Sequence, residues 1–407
     1  MDPYSGPHEA ALTYEKKGGS FMNNFIHCIP TRICFGKGQI SHLSELAQSG
    51  SKVLLVYGGG SIKKMGIYDK ALEILQGAGL TVYELSGVQP NPRIESVREG
   101  AKLCKENAID MVLAIGGGST IDCAKAVAAA ACYDGDAWDL VLNPGKIEAA
   151  LPIYSVLTLS ATGSEMDRFA VISDMSKNEK WGMGSEHLIP KMSVLDPTYT
   201  YSVSRRQTAA GTADIMSHTL ENYFSPNDGF IQARFCEAIL KTLIHYGPIA
   251  LAEPDNYEAR ANLMWASSNA INGFVSDGYR VGWCVHPMEH ELSAFYDITH
   301  GEGLAILTPH WMKHVLSDAT VDKFYEYGIN VWGLTPSEDR FAVAEEAISC
   351  TRDYFVNKLG IPATLADVGI TDEENFQVMA EKAARGCKGC YVPLTPQDIV
   401  EIYRAAK

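Results

Sequence analysis

Two pairs of polar side chains are spaced by one helix turn. Asp214 and His218 are four positions apart, as are His286 and His290, and His300 follows in the segment THGEGLAIL. At about 3.6 residues per turn, residues four positions apart share one face of a helix. A single pair of this kind is commonly a local hydrogen bond. A functional site is therefore predicted only if the two segments come together.

These side chains have the chemistry of a divalent metal site. Four of the eleven histidines lie near 218 and 286–300, and the intervening helices could bring these segments together. One carboxylate with three imidazoles favours Fe²⁺, Zn²⁺ or Mn²⁺ over Ca²⁺ or Mg²⁺, which prefer oxygen ligands. A structural role in the core is the alternative for any single histidine, and the cluster as a whole supports the metal.

Two glycine-rich loops follow buried strand patterns, KVLLVY (Lys52–Tyr57) and IDMVLAI (Ile109–Ile115). Residues without a Cβ let backbone N–H groups approach a pyrophosphate, and the next helix presents its positive end. Neither loop is G-x-G-x-x-G or G-x-x-x-x-G-K-[ST], which argues against a standard Rossmann fingerprint and a P-loop NTPase. We predict nucleotide binding, with a ligand-free tight turn as the alternative. The loop residues are Gly58, Gly59, Gly60 and Ser61, then Gly116, Gly117, Gly118, Ser119 and Thr120.

The first loop also bears on cofactor preference. Enzymes that prefer NAD commonly place a carboxylate against the ribose 2′-hydroxyl, where it would repel a 2′-phosphate. Here the loop reads GGGSIKK, with Lys63 and Lys64 and no acid. The sequence therefore predicts NADP(H) in preference to NAD(H), if this loop reaches the adenosine ribose. Lysines on a solvated helix face are the alternative.

The surrounding elements divide the chain in two. Up to about residue 200, short buried strands alternate with helical patterns such as 94–107, which predicts a parallel α/β sheet. Beyond about residue 205 strand patterns vanish, and stretches such as 208–224, 229–251, 256–271 and 342–359 have helical periodicity. We predict an α/β dinucleotide-binding domain over 22–200 and an all-helical metal-binding domain over 201–407. Residues 1–21 are polar and aperiodic, and are interpreted as a tag or disordered extension.

Composition excludes several classes of partner. A chain of 407 residues exceeds what one core usually serves, so two domains are expected. With 34 basic and 49 acidic side chains, the net charge of −15 argues against binding nucleic acid or an anionic membrane. No run of about 20 apolar residues is present to span a bilayer. The ten scattered cysteines predict a reduced, cytoplasmic protein, and the lone C-x-x-C at Cys387 and Cys390 lacks the second pair of a zinc site.

Four motifs together resemble the iron-containing, group III alcohol dehydrogenases. They are GGGS-x-x-D-x-x-K (Gly116–Lys125), LSATGSE (Leu159–Glu165), D-x-x-x-H (Asp214–His218) and H-x-x-x-H-x₉-H (His286–His300). The similarity is greatest to the butanol-dehydrogenase-like, NADPH-dependent aldehyde reductase branch, and runs from Met22 to the C-terminus. It implies a dehydroquinate-synthase-like architecture with an N-terminal α/β domain, a C-terminal helical domain, an active site in the cleft between them, and a homodimer or higher assembly.

The resemblance also implies roles for individual residues. Asp214, His218, His286 and His300 match the family's metal ligands, with iron the expected ion, and His290 matches a catalytic, non-ligand histidine beside the nicotinamide. Cofactor-contacting positions are matched by the two glycine loops and by Asn91, Thr158, Thr162 and Lys180. Asp122 belongs to the signature and is a second catalytic candidate, although it could instead only fix its helix.

The implied reaction is hydride transfer between the nicotinamide and short- to medium-chain aliphatic alcohols or aldehydes. The metal polarises the substrate oxygen, and water, His290 or a ribose hydroxyl supplies the proton. Candidates for the substrate wall are Phe169, Phe274, Trp283 and Tyr296, each of which could equally be core. A dehydroquinate-synthase-like lyase would want more basic residues near the histidines. A non-catalytic nucleotide or metal sensor would have no need of the extra histidine.

Overall fold

A computed structural model describes residues 22–226, 229–279 and 281–407. The predicted extension at residues 1–21 lies outside the described residues. The described parts of the chain hold eight β-strands: β1 (Arg32–Phe35), β2 (Lys52–Tyr57), β3 (Thr81–Leu85), β4 (Met111–Gly116), β5 (Ile153–Leu157), β6 (Phe169–Asp174), β7 (Glu179–Gly184) and β8 (Met192–Leu195).

Fourteen α-helices are found in the same described ranges: α1 (Ser61–Lys64), α2 (Ile67–Gly77), α3 (Ile94–Asn107), α4 (Gly118–Ala131), α5 (Ala137–Leu142), α6 (Arg205–Tyr223), α7 (Phe230–Ala252), α8 (Tyr257–Asn269), α9 (Val285–Tyr296), α10 (His300–Val315), α11 (Val321–Tyr327), α12 (Arg340–Asp353), α13 (Phe376–Ala383) and α14 (Pro396–Ala406). Two π-helical turns, Gly328–Trp332 and Tyr354–Lys358, extend α11 and α12. None of these helices is long and apolar enough to cross a membrane.

Six strands form one sheet in the order β1-β8-β5-β4-β2-β3, and every neighbouring pair is parallel. Strands β6 and β7 form a separate antiparallel hairpin. Alternate residues of β2 enter two different cores, with Leu54 and Val56 on one face and Val53 and Leu55 on the other. Both faces of the sheet are therefore buried, which is why its strands read as continuous apolar runs.

The described residues fall into two compact units. The sheet unit comprises 28–203 and 255–268, and the helical unit comprises 22–27, 204–254 and 269–407. The sequence-based division placed everything after residue 200 in one helical domain, whereas most of α8 belongs with the sheet. The reason lies in three contacts: Met264 is part of a sheet core, Trp265 packs edge-on against Phe35, and Ser268 donates a hydrogen bond to Glu165.

Helices α6, α9 and α10 of the helical unit position the polar residues singled out by the sequence. Helix α6 carries Asp214 and begins where the Ser204 side chain accepts a hydrogen bond from the Gln207 backbone. Helix α10 begins at His300, and Gly301 lies so close to α6 that an added Cβ would be 2.0 Å from the Ala210 carbonyl oxygen. A larger side chain at this position would push His300 away from Asp214.

Candidate metal centre and nucleotide loops

The helical unit brings one carboxylate and three imidazoles together. The Oδ1 atom of Asp214 lies 3.6 Å from Nε2 of His218, 3.6 Å from Nε2 of His286 and 3.7 Å from Nε2 of His300. These distances are too long for good hydrogen bonds. Four ligands at about 2.0–2.2 Å from a tetrahedral ion are separated by about 3.3–3.6 Å. For Asp214, His286 and His300, whose ligand atoms all lie within 4.8 Å of one another, the spacing is close to that of ligands which share a cation.

Buried polar atoms at this site support the same conclusion. Asp214 Oδ1 and His286 Nε2 are buried and have no hydrogen-bond partner among the described residues. Native interiors satisfy nearly all such atoms, and a divalent ion would satisfy both at once. The ligand atoms of Asp214, His286 and His300 all lie within 4.8 Å of one another. His218 is not one of these three mutually close residues; its Nε2 lies 3.6 Å from Asp214 Oδ1, and its ring stacks on that of His286 with centroids 4.6 Å apart.

Two further carboxylates, which the sequence reasoning missed, hold the ligand histidines from behind. Nδ1 of His286 contacts Oε1 of Glu221, and Nδ1 of His300 contacts Oε2 of Glu289. Both glutamates are buried. A carboxylate that accepts the Nδ1 proton leaves the Nε2 lone pair available to a metal, here facing Asp214. The available signal was spacing, since Glu221 and Glu289 follow a histidine of the cluster by three positions on the same helix.

The electrostatics of the cluster prepare it for a cation. Burial raises the pKa of the Asp214 carboxyl, but the surrounding imidazoles, first His218, lower it more, so its pKa lies far below the usual range. Burial lowers the pKa of His218 to about 4, which keeps that ring neutral and able to act as a ligand. For His286, burial is outweighed by Glu221, and the pKa is raised to about 9. Metal binding would therefore release a proton from His286.

His290 lies beside this group. Its ring centroid is 6.1 Å from that of His286 and 5.5 Å from that of His300, and the residue is buried. A nitrogen of His290 also lies within 4.8 Å of ligand atoms of Glu289 and His300. The structure thus places His290 next to the cluster, while the close approaches to Asp214 are made by the other three histidines.

Of the four aromatic wall candidates, Trp283 contacts the cluster. Its ring meets those of His218 and His286 edge-on, at centroid distances of 5.8 and 5.1 Å. The other candidates have different neighbours: Phe274 stacks on Phe235, Tyr296 accepts a hydrogen bond from Asn375, and Phe169 packs against Gly184.

In the sheet unit, the predicted pyrophosphate loop is a tight turn between β4 and α4. A Cβ on Gly116 would lie 2.4 Å from Oγ1 of Thr120, and a Cβ on Gly118 would lie 2.2 Å from Oγ1 of Thr162. The Thr158 backbone N–H donates to the Gly116 carbonyl oxygen at 3.0 Å. The structure therefore brings both predicted threonines, 158 and 162, to the loop, where the N-terminus of the 14-residue helix α4 begins.

Asp122 is fully engaged within the protein. One carboxylate oxygen accepts from the Ser164 hydroxyl at 2.6 Å, and the other accepts from the Val171 backbone N–H at 2.9 Å. Burial raises its pKa to about 6. Lys125, one turn further along α4, is completely buried and donates to Oδ1 of Asp167 at 2.7 Å. The Ser164 bond fastens α4 to the LSATGSE segment, and the other two fasten it to β6 and the residues just before it. They support the positioning role for Asp122, while its contact with cofactor stays a prediction.

The first glycine loop has neighbours that its own sequence does not show. Lys63 Nζ lies 5.0 Å and 4.3 Å from the ring centroids of Tyr57 and Tyr68. Both tyrosine hydroxyls donate to the carboxylate of Glu84 on the adjacent strand β3, at 2.7 and 2.6 Å. An acid is therefore present near the loop, and Lys63 is held against aromatic rings. Lys64 is exposed.

The last two predicted cofactor positions, Asn91 and Lys180, are connected by backbone hydrogen bonds that involve the β6–β7 hairpin. Asn91 has a left-handed backbone with φ of 51°, and the carbonyl oxygen of the next residue, Pro92, accepts from the Ser173 backbone N–H at 2.9 Å. Ser173 pairs with Lys180 across the hairpin. Lys180 is buried.

A parallel sheet with glycine-rich strand-to-helix turns, together with a helical unit that holds an aspartate–histidine cluster, is the combination expected of an enzyme that uses a nucleotide cofactor and a metal. Two family models match the chain: iron-containing alcohol dehydrogenase over residues 30–197, and the C-terminal part of the Fe-containing alcohol dehydrogenase family over 208–407. The chain therefore belongs to the iron-containing alcohol dehydrogenase family, and the predicted resemblance, fold class and oxidoreductase activity are confirmed.

Individual relatives cover nearly the whole chain. NADH-dependent butanol dehydrogenase A of Clostridium acetobutylicum is 57% identical over 94% of this chain and 99% of its own. The NADPH-dependent aldehyde reductase YqhD of Escherichia coli is 43% identical over 86% of this chain and 90% of its own. The crystal structure of a butanol dehydrogenase A from Thermotoga maritima is 38% identical, with a TM-score of 0.90 over 95% of this chain and 99% of that one. The named cofactors of these relatives differ, so they support NAD(P)H without choosing between the two.

Proposed function

We propose that this protein interconverts short- to medium-chain aliphatic alcohols and aldehydes, of which butanol and butanal are typical, with NADP(H) preferred over NAD(H). A divalent metal is required, with Fe²⁺ favoured over Zn²⁺ or Mn²⁺. The observation that carries the proposal is the arrangement of three imidazole Nε2 atoms, at 3.6, 3.6 and 3.7 Å, around a single oxygen of Asp214.

The ion would be held by Asp214, His218, His286 and His300. Once bound, it supplies Lewis acidity at the substrate oxygen, while the nicotinamide supplies the hydride. Glu221 and Glu289 keep two of the imidazoles in the orientation in which Nε2 faces Asp214. The protein thus presents its ligand atoms before substrate arrives, which lowers the reorganisation needed during the reaction.

The remaining histidine, His290, is proposed to handle the proton. It lies beside the ligands His286 and His300. Imidazole is the side chain that exchanges protons near neutral pH, so it suits the step that converts an alkoxide to an alcohol. The indole of Trp283 covers His218 and His286 and is proposed to limit the access of water to them.

The preference for NADP(H) is supported by the absence of an acid within GGGSIKK. Glu84 and the tyrosine contacts of Lys63 lie beside the same loop, so Lys64 is the residue proposed to face a 2′-phosphate. Lys64→Glu should lower kcat/KM for NADPH while changing that for NADH little. Equal losses with both cofactors, or a wild-type enzyme faster with NADH, would contradict the preference.

Metal removal tests the reaction itself. Protein stripped with a chelator should lose the reduction of butanal, keep binding NADPH, and recover when the ion is returned. A parallel comparison separates the histidines: His286→Ala should lose bound metal, and His290→Ala should keep metal while losing rate. Full activity of the stripped protein would refute the metal's role, and equal metal content with equal activity in both variants would refute the assignment of the ligands.

The same assay distinguishes the alternative lyase. A dehydrogenase consumes NADPH in step with aldehyde, whereas a dehydroquinate-synthase-like lyase uses its nicotinamide only transiently and shows no net loss of NADPH absorbance. Turnover of a substrate without net consumption of NADPH would replace the proposed reaction with the lyase.

A further inference from the structure

Three buried cysteines of the helical unit lie together and play no part in the proposed reaction. They are Cys284, Cys387 and Cys390, at 1%, 0% and 2% exposure, and are called the cysteine cluster below. The sulfur atoms of Cys387 and Cys390 both contact the backbone that ends at Cys284. Cys387 and Cys390 form the C-x-x-C motif seen in the sequence.

The C-x-x-C turn presses against the segment that leads into helix α9. Cys390 Sγ donates a hydrogen bond to the Trp283 carbonyl oxygen at 3.0 Å, and Cys387 Sγ donates to the Cys284 carbonyl oxygen at 3.6 Å. Gly282 lies so close that an added Cβ would be 2.3 Å from Cys390 Cα. The two thiols therefore hold the carbonyl groups of Trp283 and Cys284, and the backbone at Cys390 packs against Gly282.

The opposite side of this segment carries the metal centre. Oε2 of Glu221 accepts the backbone N–H of Cys284 at 2.6 Å and that of Val285 at 2.9 Å, while its Oε1 contacts the ring of His286. The Trp283 ring meets that of His286 at 5.1 Å. A movement of residues 282–284 would therefore reach a metal ligand through both Glu221 and the indole.

The position of the motif gives small oxidants a short path to it. Lys388, between the two cysteines, is exposed, and Gly389 and Tyr391 are half-buried, so the thiols face inward from a turn at the surface. The neighbouring side chains of Cys284 and Cys387 lower the pKa of Cys390, although burial opposes them. The thiolate is the nucleophilic form of cysteine, which makes Cys390 the first thiol to react.

We propose that Cys387 and Cys390 form a peroxide-sensitive modification site whose disulfide weakens metal binding at His286. The Cys390 thiolate attacks one oxygen of hydrogen peroxide, so the O–O bond breaks, hydroxide leaves and a sulfenic acid forms. The Cys387 sulfur then attacks the sulfenic sulfur, and the displaced hydroxide leaves as water with the Cys387 proton. Two thiols are oxidised and one peroxide is reduced to two waters.

The disulfide removes both S–H donors that hold residues 282–284. The Trp283 and Cys284 carbonyl oxygens then lose their sulfur partners, and the segment between Glu221 and the cysteine cluster is no longer fixed on one side. Disturbing a support behind a ligand histidine typically costs about 10-fold or more in metal affinity. This consequence rests on the proposed metal site, whereas formation of the disulfide does not.

The test uses the full chain loaded with Zn²⁺, since a redox-inactive ion avoids oxidation catalysed by bound iron. Reduced protein is treated with hydrogen peroxide, digested, and mapped by mass spectrometry, and zinc release to a chelator is followed before and after. We expect a Cys387–Cys390 link, release of zinc accelerated by about 10-fold, and reversal of both by dithiothreitol. Cys387→Ser should bind zinc normally when reduced and resist the acceleration, and Cys132→Ser, at an exposed cysteine, should behave as wild type.

Two results would overturn the proposal. The site is wrong if the wild-type map shows no Cys387–Cys390 link, or a Cys284–Cys390 link in its place. The coupling is wrong if that link forms while zinc release stays unchanged. If the reduced wild-type protein does not bind zinc at all, the proposed metal centre is wrong. This outcome can be told apart from failure of the disulfide proposal, because the disulfide map does not depend on a bound ion.

Discussion

Replacement of Glu221 by glutamine tests how the metal ligand His286 is held. Glu221 is 1% exposed, and its Oε2 accepts the backbone N–H groups of Cys284, Val285 and His286 at 2.6, 2.9 and 3.4 Å. Its other oxygen contacts Nδ1 of the His286 ring and accepts from the Ser217 hydroxyl at 3.2 Å. One carboxylate thus fixes both the start of helix α9 and the orientation of a ligand.

Glutamine has the same shape but only one accepting oxygen. If that oxygen keeps the backbone N–H groups, the amide NH₂ faces Nδ1 of His286, and two donors oppose each other. The ring can avoid this only by moving its proton to Nε2, the atom that faces Asp214, and a protonated Nε2 cannot bind a metal. Loss of such a support typically costs about 10- to 100-fold in metal affinity, or about 1.4–2.7 kcal/mol.

The assay is a competition titration of Zn²⁺ against a fluorescent chelator, with wild-type protein and Glu221→Gln side by side. We expect the upper end of that range, because the carboxylate charge and the correct tautomer are lost together. Glu237→Gln is the matched control, since Glu237 is a buried glutamate of the same unit whose partners include Tyr223 and Asn330, at 3.0 and 2.9 Å. Wild-type zinc affinity in Glu221→Gln would show that Glu221 does not hold His286 in its ligating orientation.

Three further predictions concern the sheet unit. Lys125→Met should lower the free energy of unfolding by about 3–5 kcal/mol, because the carboxylate of Asp167 is left buried and unpaired. Burial raises the pKa of Glu165 from 4.5 to about 7, so the folded protein keeps a proton that the unfolded chain releases. Wild-type stability should therefore fall between these pH values, and Glu165→Gln should gain up to about 3 kcal/mol over wild type by pH 8. Gly118→Ala should raise KM for the cofactor and cost about 1–3 kcal/mol of stability, because its Cβ would overlap Thr162.

Each of these outcomes has a direct check. Denaturant unfolding measures the first two. An unchanged free energy of unfolding in Lys125→Met would contradict the first. A stability difference between Glu165→Gln and wild type that does not depend on pH would contradict the second. Gly77→Ala is the control for the glycine substitution, since a Cβ at Gly77 meets nothing within 4 Å and Gly77 lies in helix α2, outside the predicted cofactor loops. Equal effects of Gly77→Ala and Gly118→Ala on stability and KM would show that crowding at the loop is not the cause.

The sheet was predictable because its strands are buried on both faces. Strand β2 has the predicted bounds, Lys52–Tyr57, and helix α3 has the predicted bounds, Ile94–Asn107. Continuous apolar runs and a 3.6-residue periodicity are local signals and do not depend on distant parts of the chain. Helix α8 was placed in the wrong unit because its partners Phe35 and Glu165 are far away in sequence.

The site was predictable where residue type and spacing carried the information. The i, i+4 pairs identified Asp214, His218 and His286, and the structure places Nε2 of both histidines 3.6 Å from Oδ1 of Asp214. Glu221 and Glu289 were missed because a glutamate within a helix looks like many solvent-exposed glutamates until its burial is known. Glu84 was missed for a different reason, since it reaches the first glycine loop from the adjacent strand through tyrosine hydroxyls.

Anomalous diffraction from a crystal of the zinc-loaded protein locates the ion and identifies its ligands directly. We expect one ion at about 2.0–2.2 Å from Oδ1 of Asp214 and from Nε2 of His286 and His300, with His218 completing the ligands. An ion bound instead by His290 and Glu289, the neighbouring group with ligand atoms close to His300, would contradict it. So would a protein whose four predicted ligands hold no ion at all.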